Sequence, residues 1–277
     1  MRLVTLRTAD GLRAGRIEGT EVFALDFPDV GALLDTGPRW MQTAEEDGTP
    51  WGPLEDADLA PVIPAPRKII CIGLNYASHI KEMGRELPPH PTIFAKYARA
   101  LIGARDPIVL PAASERMDWE VELAVVIGRP VRHADEEAAR QAIAGYTILN
   151  DVSARDWQFR TTQFLQGKTF ESTTPLGPAL VTSDELGDSV DLEVSCEVDG
   201  VQMQSGRTSD LIFSPVELVS YLSIILTLEP GDVIATGTPS GVGAGRTPEV
   251  YLRPGQTVRT SIEGLGELVN RCVTQDQ

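Results

Sequence analysis

Apolar residues in this chain come in short runs, many of them alternating, separated by glycine, proline and acidic turn residues, and that pattern predicts strands more often than helices. Residues 3–6, 12–17 and 22–25 read as short strands, with Gly19 suited to a hairpin turn, and residues 30–34 read as a short helix. Residues 48–53 and 61–66 read as loop or linker. The second of these, rich in proline, is the expected boundary between a small N-terminal β-rich domain, residues 1–62, and a larger domain, residues 63–277. Within the larger part, residues 68–73, 93–96 and 146–150 are expected strands. Residues 118–128 are expected as a strand rich in β-branched residues, with a polar start and a closing Gly128. An acidic start at Asp135, Glu136 and Glu137 suits the dipole of a helix running to residue 144, and residues 153–158 open a helical turn. Residues 167–170 are expected as loop or short strand. From Pro175 the pattern is mostly β, with a hairpin about Asp199-Gly200 and closing strands at 257–262 and 268–273. One later helix is well marked by Ser214 as N-cap, Pro215 at the first helical position and Glu217 completing a capping box.

Candidate chemistry gathers around the run from 118 to 128. On a strand, Glu120 and Glu122 project from one face. Side-by-side carboxylates persist if exposed, if one is protonated, or if a cation lies between them. An isolated Glu-x-Glu more often lines a solvated face, but the apolar run that follows argues against full exposure here. A hard cation such as Mg²⁺ takes oxygen ligands, and Asp151, ending another apolar run, offers a third carboxylate. His79 and Glu82 are three residues apart, so a helix would place them on one face, where a carboxylate can fix an imidazole's tautomer and raise its basicity. The pattern His-x-x-Glu alone is a weak signal. The glycine-rich residues 237–245 lack the Gly-Lys-Ser/Thr ending of a nucleotide loop, and a nest of backbone N–H groups holding a carboxylate fits them better.

Composition narrows the partners. The chain has 277 residues and a formal charge of −16, which argues against nucleic acid, since phosphates require clustered Lys and Arg. No apolar run is long enough to span a bilayer, no basic tract suits an anionic membrane, and the N-terminus lacks a signal-peptide core, so a cytoplasmic protein with no membrane partner is expected. Cys71, Cys196 and Cys272 are odd in number and sit in apolar surroundings, which points to buried small hydrophobes rather than disulfides or zinc.

Together the pieces resemble the fumarylacetoacetate hydrolase superfamily over residues 68–273. They are Gly73-Leu74-Asn75-Tyr76 with His79 and Glu82, Asp118-Trp119-Glu120-Val121-Glu122-Leu123-Ala124, Asn150-Asp151-Val152-Ser153-Ala154-Arg155-Asp156, Gly167-Lys168, Pro175-Leu176-Gly177-Pro178, and the stretch from Pro230 through Thr236-Gly237-Thr238-Pro239-Ser240-Gly241-Val242-Gly243. Each is weak, and six in order are specific. Departures fall at Ser78, Tyr97, Glu171 and Arg207. The resemblance implies an α+β, predominantly β fold of the mixed β-sandwich or rolled-sheet type, usually as a homodimer. It implies one Mg²⁺ or Mn²⁺ per chain on Glu120, Glu122 and Asp151, and an acid–base dyad of His79 and Glu82. Lys168 is assigned to catalysis, and Arg155, Gln158 and Thr238 to the substrate.

The implied activity is hydrolysis of a carbon–carbon bond in a 1,3-dioxo acid of the acylpyruvate, fumarylacetoacetate or fumarylpyruvate type. In it the cation stabilises the enolate, His79 activates water, Lys168 or Gln158 steadies the oxyanion, and Arg155 clamps a carboxylate. The near alternative is a decarboxylase or isomerase of 2-oxo or 2-hydroxydienoate diacids, of the oxaloacetate or 2-hydroxyhepta-2,4-diene-1,7-dioate type. The far alternative is a metal-stabilised binding protein without turnover.

Overall fold

Alternation along residues 119–127 sets the architecture. Trp119, Val121, Leu123, Val125 and Ile127 pack into one core cluster, while Ala124 and Val126 pack into another. A strand buried on both faces needs a covering layer on each side, and full burial of each Val, Leu or Ile contributes roughly 1.5–3 kcal/mol. The computed structural model describes residues 1–82, 86–186 and 191–275, apart from the side chains of His79, Lys81 and Glu82. In it Val121–Ile127 lies inside an open 11-stranded mixed sheet. Its antiparallel neighbours are Ile143–Asn150 and Val233–Ala235. Beyond Val233–Ala235 run Ile69–Gly73, parallel to it, and the edge strand Thr92–Lys96. On the other side come Thr174–Thr182, Arg2–Thr8, Gly11–Glu18, Glu21–Ala24 and Thr49–Pro53. The N-terminal strands therefore continue the same sheet, with Arg2 and Leu3 paired to Val181 and Leu180.

A 5-stranded sheet, from Val201–Arg207 through Glu193–Val198, Thr257–Ile262 and Gly266–Thr274 to Ile108–Leu110, covers one face. Its Val194, Cys196, Val258 and Leu268 join Val121 and Leu123 in one core. Helices Glu136–Ala142 and Pro215–Ile225 add Ala139, Leu218 and Leu222 to that layer. Short helices Val30–Leu34 and Trp40–Glu46 cover the other face, where Leu33, Leu34 and Trp40 meet Ala124 and Val126. The fold is thus α+β, predominantly β, with packed mixed sheets. Among the described residues no helix is long and apolar enough to cross a membrane.

Local signals act as read. Ser214 accepts from the Glu217 N–H at 3.4 Å while Glu217 accepts from the Ser214 N–H at 2.8 Å, so both orphan donors are satisfied. Asp199 and Gly200 both adopt positive φ, 51° and 76°, as a tight hairpin turn demands. All three cysteines are free and buried. Three expectations fail. Residues 48–53 are not a loop: Thr49–Pro53 is an edge strand, a sheet position where prolines cost little. Residues 167–170 are neither loop nor strand at their start, because Leu165–Lys168 forms a helical turn. The expected strand from 118 is broken: Met117–Asp118 pairs separately with Ser153–Ala154, and the long strand begins at Val121.

Candidate metal centre and its cavity

Chain direction explains why the acidic residues meet. Val121–Ile127 begins at the sheet end where Ile143–Asn150, Val233–Ala235 and Ile69–Gly73 finish, because the first pairs antiparallel to its neighbours and the last two run parallel. Register sets Val121 opposite Asn150, which brings Glu120 beside Asp151; the Asp151 N–H donates to the Glu120 carbonyl at 2.8 Å. Glu122 lies one pleat further on, on the same face. Ligand oxygens of Glu120, Glu122 and Asp151 all lie within 4.8 Å of one another, and the residues are 7%, 1% and 0% exposed. Solvated-face exposure, the commoner fate of Glu-x-Glu, does not apply.

Buried cations answer most of this charge. Lys168 Nζ stands 2.5 Å from Glu120 Oε2 and 2.7 Å from Asp151 Oδ2. Lys96 Nζ donates to Asp151 Oδ1 at 2.7 Å and to the Val152 carbonyl at 3.3 Å. Burial alone would raise the Asp151 carboxyl, but the two ammoniums outweigh it and hold it at about 2. Burial pulls Lys168 down, and the charges of Asp151 and Glu120 more than restore it, so it stays an ammonium. Arg155 donates from Nε to Asp118 at 2.8 Å, from Nη1 to Gln158 Oε1 at 2.8 Å, and pairs through Nη2 with Glu120 at 2.6 Å. It orients Glu120 and has donors left over, since a guanidinium carries five N–H groups.

Glu122 is different. It accepts from the Gly237 N–H at 2.8 Å, but among the described residues no ammonium or guanidinium is bonded to it. Burial first, then the charges of Asp151 and Glu120, push its carboxyl well above the ordinary range. An all-oxygen donor set with one buried carboxylate left unanswered fits a divalent cation, which these three residues could hold. The glycine-rich segment does hold carboxylates with backbone N–H groups, and they are the protein's own: Gly237 binds Glu122, while Gly243 and Ala244 bind Asp118 at 2.6 and 3.0 Å.

A cavity of about 860 Å³ opens on this cluster, and Glu120, Glu122, Arg155, Gln158, Lys168 and Thr238 all line it. Asp151, fully buried and bonded to Lys168, does not. Thr238 is braced by Gln204, whose Nε2 donates to its hydroxyl at 2.8 Å while its Oε1 accepts from the Val121 N–H at 3.0 Å. His79 and Glu82 belong to the helix Ala77–Glu82, but their side chains lie outside the described residues. That helix follows Gly73 and Leu74, which line the cavity, and Asn75, whose amide is tied to the Thr236 and Phe213 carbonyls.

Two charged partners were not assigned a role from sequence. Lys96 ends an otherwise apolar strand, a visible oddity, but its partner is 55 residues away. Asp118 stands two residues before Glu120, in the same alternation as the two glutamates, and the spacing alone could have included it.

Residues 68–273 match the model of the fumarylacetoacetate (FAA) hydrolase C-terminal region. Human oxaloacetate tautomerase FAHD2A, mitochondrial (Homo sapiens), is 47% identical over 217 residues, 78% of this chain and 69% of that protein. Among solved structures, fumarylacetoacetate hydrolase from psychrophilic Exiguobacterium antarcticum superposes with a TM-score of 0.89 at 34% identity, covering 99% of this chain and 100% of the other. The 2-hydroxyhepta-2,4-diene-1,7-dioate isomerase from Mycobacterium marinum superposes with a TM-score of 0.79 at 36% identity, covering 100% of both chains. With the carboxylate cluster, the sheet order and these likenesses in agreement, the chain belongs to the fumarylacetoacetate hydrolase family.

Proposed function

We propose that this chain is an isomerase that interconverts the enol and keto forms of a 2-oxo diacid or a 2-hydroxydienoate diacid at the Glu120, Glu122 and Asp151 cluster. The observation that carries the reading is this buried trio, with Glu120 and Glu122 lining the cavity and Asp151 beside them, in a chain 47% identical over 217 residues to a protein named oxaloacetate tautomerase. The isomerase from Mycobacterium marinum adds a second relative of the same reaction class.

In an enol-to-keto step the enol oxygen loses a proton and carbon 3 gains one, and no atom is added or lost overall. A Mg²⁺ or Mn²⁺ ion held by Glu120, Glu122 and Asp151 would supply a fixed positive charge that favours the anionic oxygens of such an acid. The chain's own groups do the rest. Lys168 spends two of an ammonium's three donors on Glu120 and Asp151 and faces the cavity, so one N–H is left for a substrate oxygen. Arg155 and Gln158 hold each other and present their remaining N–H donors to a carboxylate. The Thr238 hydroxyl accepts from Gln204 and can donate into the cavity. His79, steadied by Glu82, carries the proton between oxygen and carbon in this reading. The chain is proposed to work as a homodimer.

Hydrolysis of a 1,3-dioxo acid is the second reading, supported by the likeness to the hydrolase of Exiguobacterium antarcticum. Enol absorbance followed together with product analysis separates the two. With Mg²⁺ or Mn²⁺ the protein should speed the loss of enol from 2-oxo diacids with the carbon skeleton intact, and a chelator should abolish this. Cleavage of acylpyruvates into two acids, with no effect on diacid enols, would reverse the order of the readings.

A further inference from the structure

Besides the carboxylates, the cavity is lined by a more exposed rim that includes Arg116, Arg246, Glu249 and Tyr251, and its two guanidiniums carry positive charge of their own. Arg246, which lines it, is held by backbone: Nη2 donates to the Met203 carbonyl at 2.7 Å and Nε to the Gly241 carbonyl at 3.4 Å. Among the described residues no carboxylate pairs with Arg246. Two carbonyls fix the direction of a guanidinium without cancelling its charge, and most of its N–H donors remain unspent. Arg116 is paired only loosely, 3.5 Å from Glu249, with its guanidinium 5.9 Å from the centre of the Tyr251 ring, and Tyr251 donates to the same Glu249 oxygen at 2.9 Å. A half-exposed pair at that separation contributes little, so an arriving anion can replace Glu249 at little cost.

Rim and floor are mechanically joined. The Trp119 indole shares the Gly241 carbonyl with Arg246, and the Arg116 carbonyl accepts from the Arg155 N–H at 2.9 Å. Phe94, Phe164 and Val242 give the same cavity apolar wall. Its volume, about 860 Å³, lies near the top of the range for sites that take drug-sized ligands, far more than a four-carbon diacid fills. A charged floor, apolar wall and charged rim match a ligand with an anionic head, an unsaturated or aliphatic chain and an anionic tail.

We propose that Arg246, with Arg116 on the same rim, is a site for the far carboxylate of the substrate, and that the substrate is a 2-oxo or hydroxydienoate diacid longer than four carbons. The isomerase reading enters only in placing the 2-oxo end on Glu120, Glu122 and Asp151; the rim site stands whichever reaction follows.

Calorimetric binding tests it without turnover. With Mn²⁺ present, wild type, Arg246→Gln and Glu249→Gln are titrated with oxalate, which reaches only the floor, with 2-oxoadipate and 2-oxopimelate, and with the far-end monomethyl esters of both. Wild type should prefer the free diacids over their esters by about tenfold, the worth of one charge-assisted contact. Arg246→Gln should erase that preference and leave oxalate affinity within about twofold, and Glu249→Gln should enlarge the preference, since a competing anion is gone. Equal binding of diacid and ester to wild type overturns the proposal. So does an Arg246→Gln variant that weakens oxalate and diacid alike, or a wild type that binds neither long diacid. Should Arg246→Gln fail to fold, the ester comparison and Glu249→Gln decide alone. A diacid preference without enol turnover keeps the rim site and removes the isomerase reading; turnover without the preference does the opposite.

Discussion

A carboxylate buried beside two others is tolerated when each is answered by opposite charge, and Asp151 has two answers, Lys96 and Lys168. Removing one leaves a buried charge half-paired. Lys96→Met should therefore lower the stability of the metal-free protein by roughly 3 kcal/mol, and Mn²⁺ should recover part of the loss; an unchanged urea midpoint would contradict the pairing. Asp151→Asn and His79→Ala should split in effect. The first removes an anionic ligand, so Mn²⁺ and oxalate should both bind at least about tenfold more weakly, with partial rescue at high metal. The second should abolish turnover and leave metal content and oxalate affinity in place, and loss of metal in His79→Ala would make the histidine a ligand instead of a base. At this scale much was legible. Glu120 and Glu122 share a face because side chains alternate along a strand, and Asp151 ends a neighbouring strand. Lys96 and Arg246 were not legible as site residues, since what defines each is a contact with a distant part of the chain.

Among elements, those whose signals are local were the readable ones. The capping box at Ser214 and the Asp199-Gly200 turn need only their neighbours in sequence. The edge strand Thr49–Pro53 and the helical turn Leu165–Lys168 need tertiary context, and the local signals at Pro50, Pro53 and Gly167 point elsewhere. Gly167 shows why. A Cβ there would stand 2.4 Å from the Gln158 backbone nitrogen and 2.6 Å from its Cα, so the turn packs against residues 155–158 only because the side chain is absent. Gly167→Ala should push Lys168 and Gln158 apart, costing about 1–3 kcal/mol by overpacking and most of the turnover. A variant with wild-type melting temperature and rate would show that the two turns need not touch this closely.

For the whole molecule, the eleven strands form one surface that buries a core on each face and collects four strand ends at one edge, and the cluster sits there because of that order. Short apolar runs marked many of the strands, and the α+β, predominantly β class came with the family resemblance. The sheet order was not legible, because pairings such as Arg2 with Val181 join segments that no local pattern links. Homodimerisation is a prediction at this scale as well: light scattering at micromolar protein should give twice the 30.0 kDa chain mass, and a single sharp monomer mass would refute it. The central claim is proton exchange between an enol oxygen and carbon 3 at a metal held by Glu120, Glu122 and Asp151. Proton NMR of a 2-oxo diacid in D₂O, with Mg²⁺ and the protein present, tests it most directly. Solvent deuterium should enter at carbon 3 faster than in the blank, with the carbon skeleton intact, and the excess should vanish with chelator or in Asp151→Asn. Deuterium entry no faster than the blank for any diacid, or the appearance of two shorter acids, would contradict it.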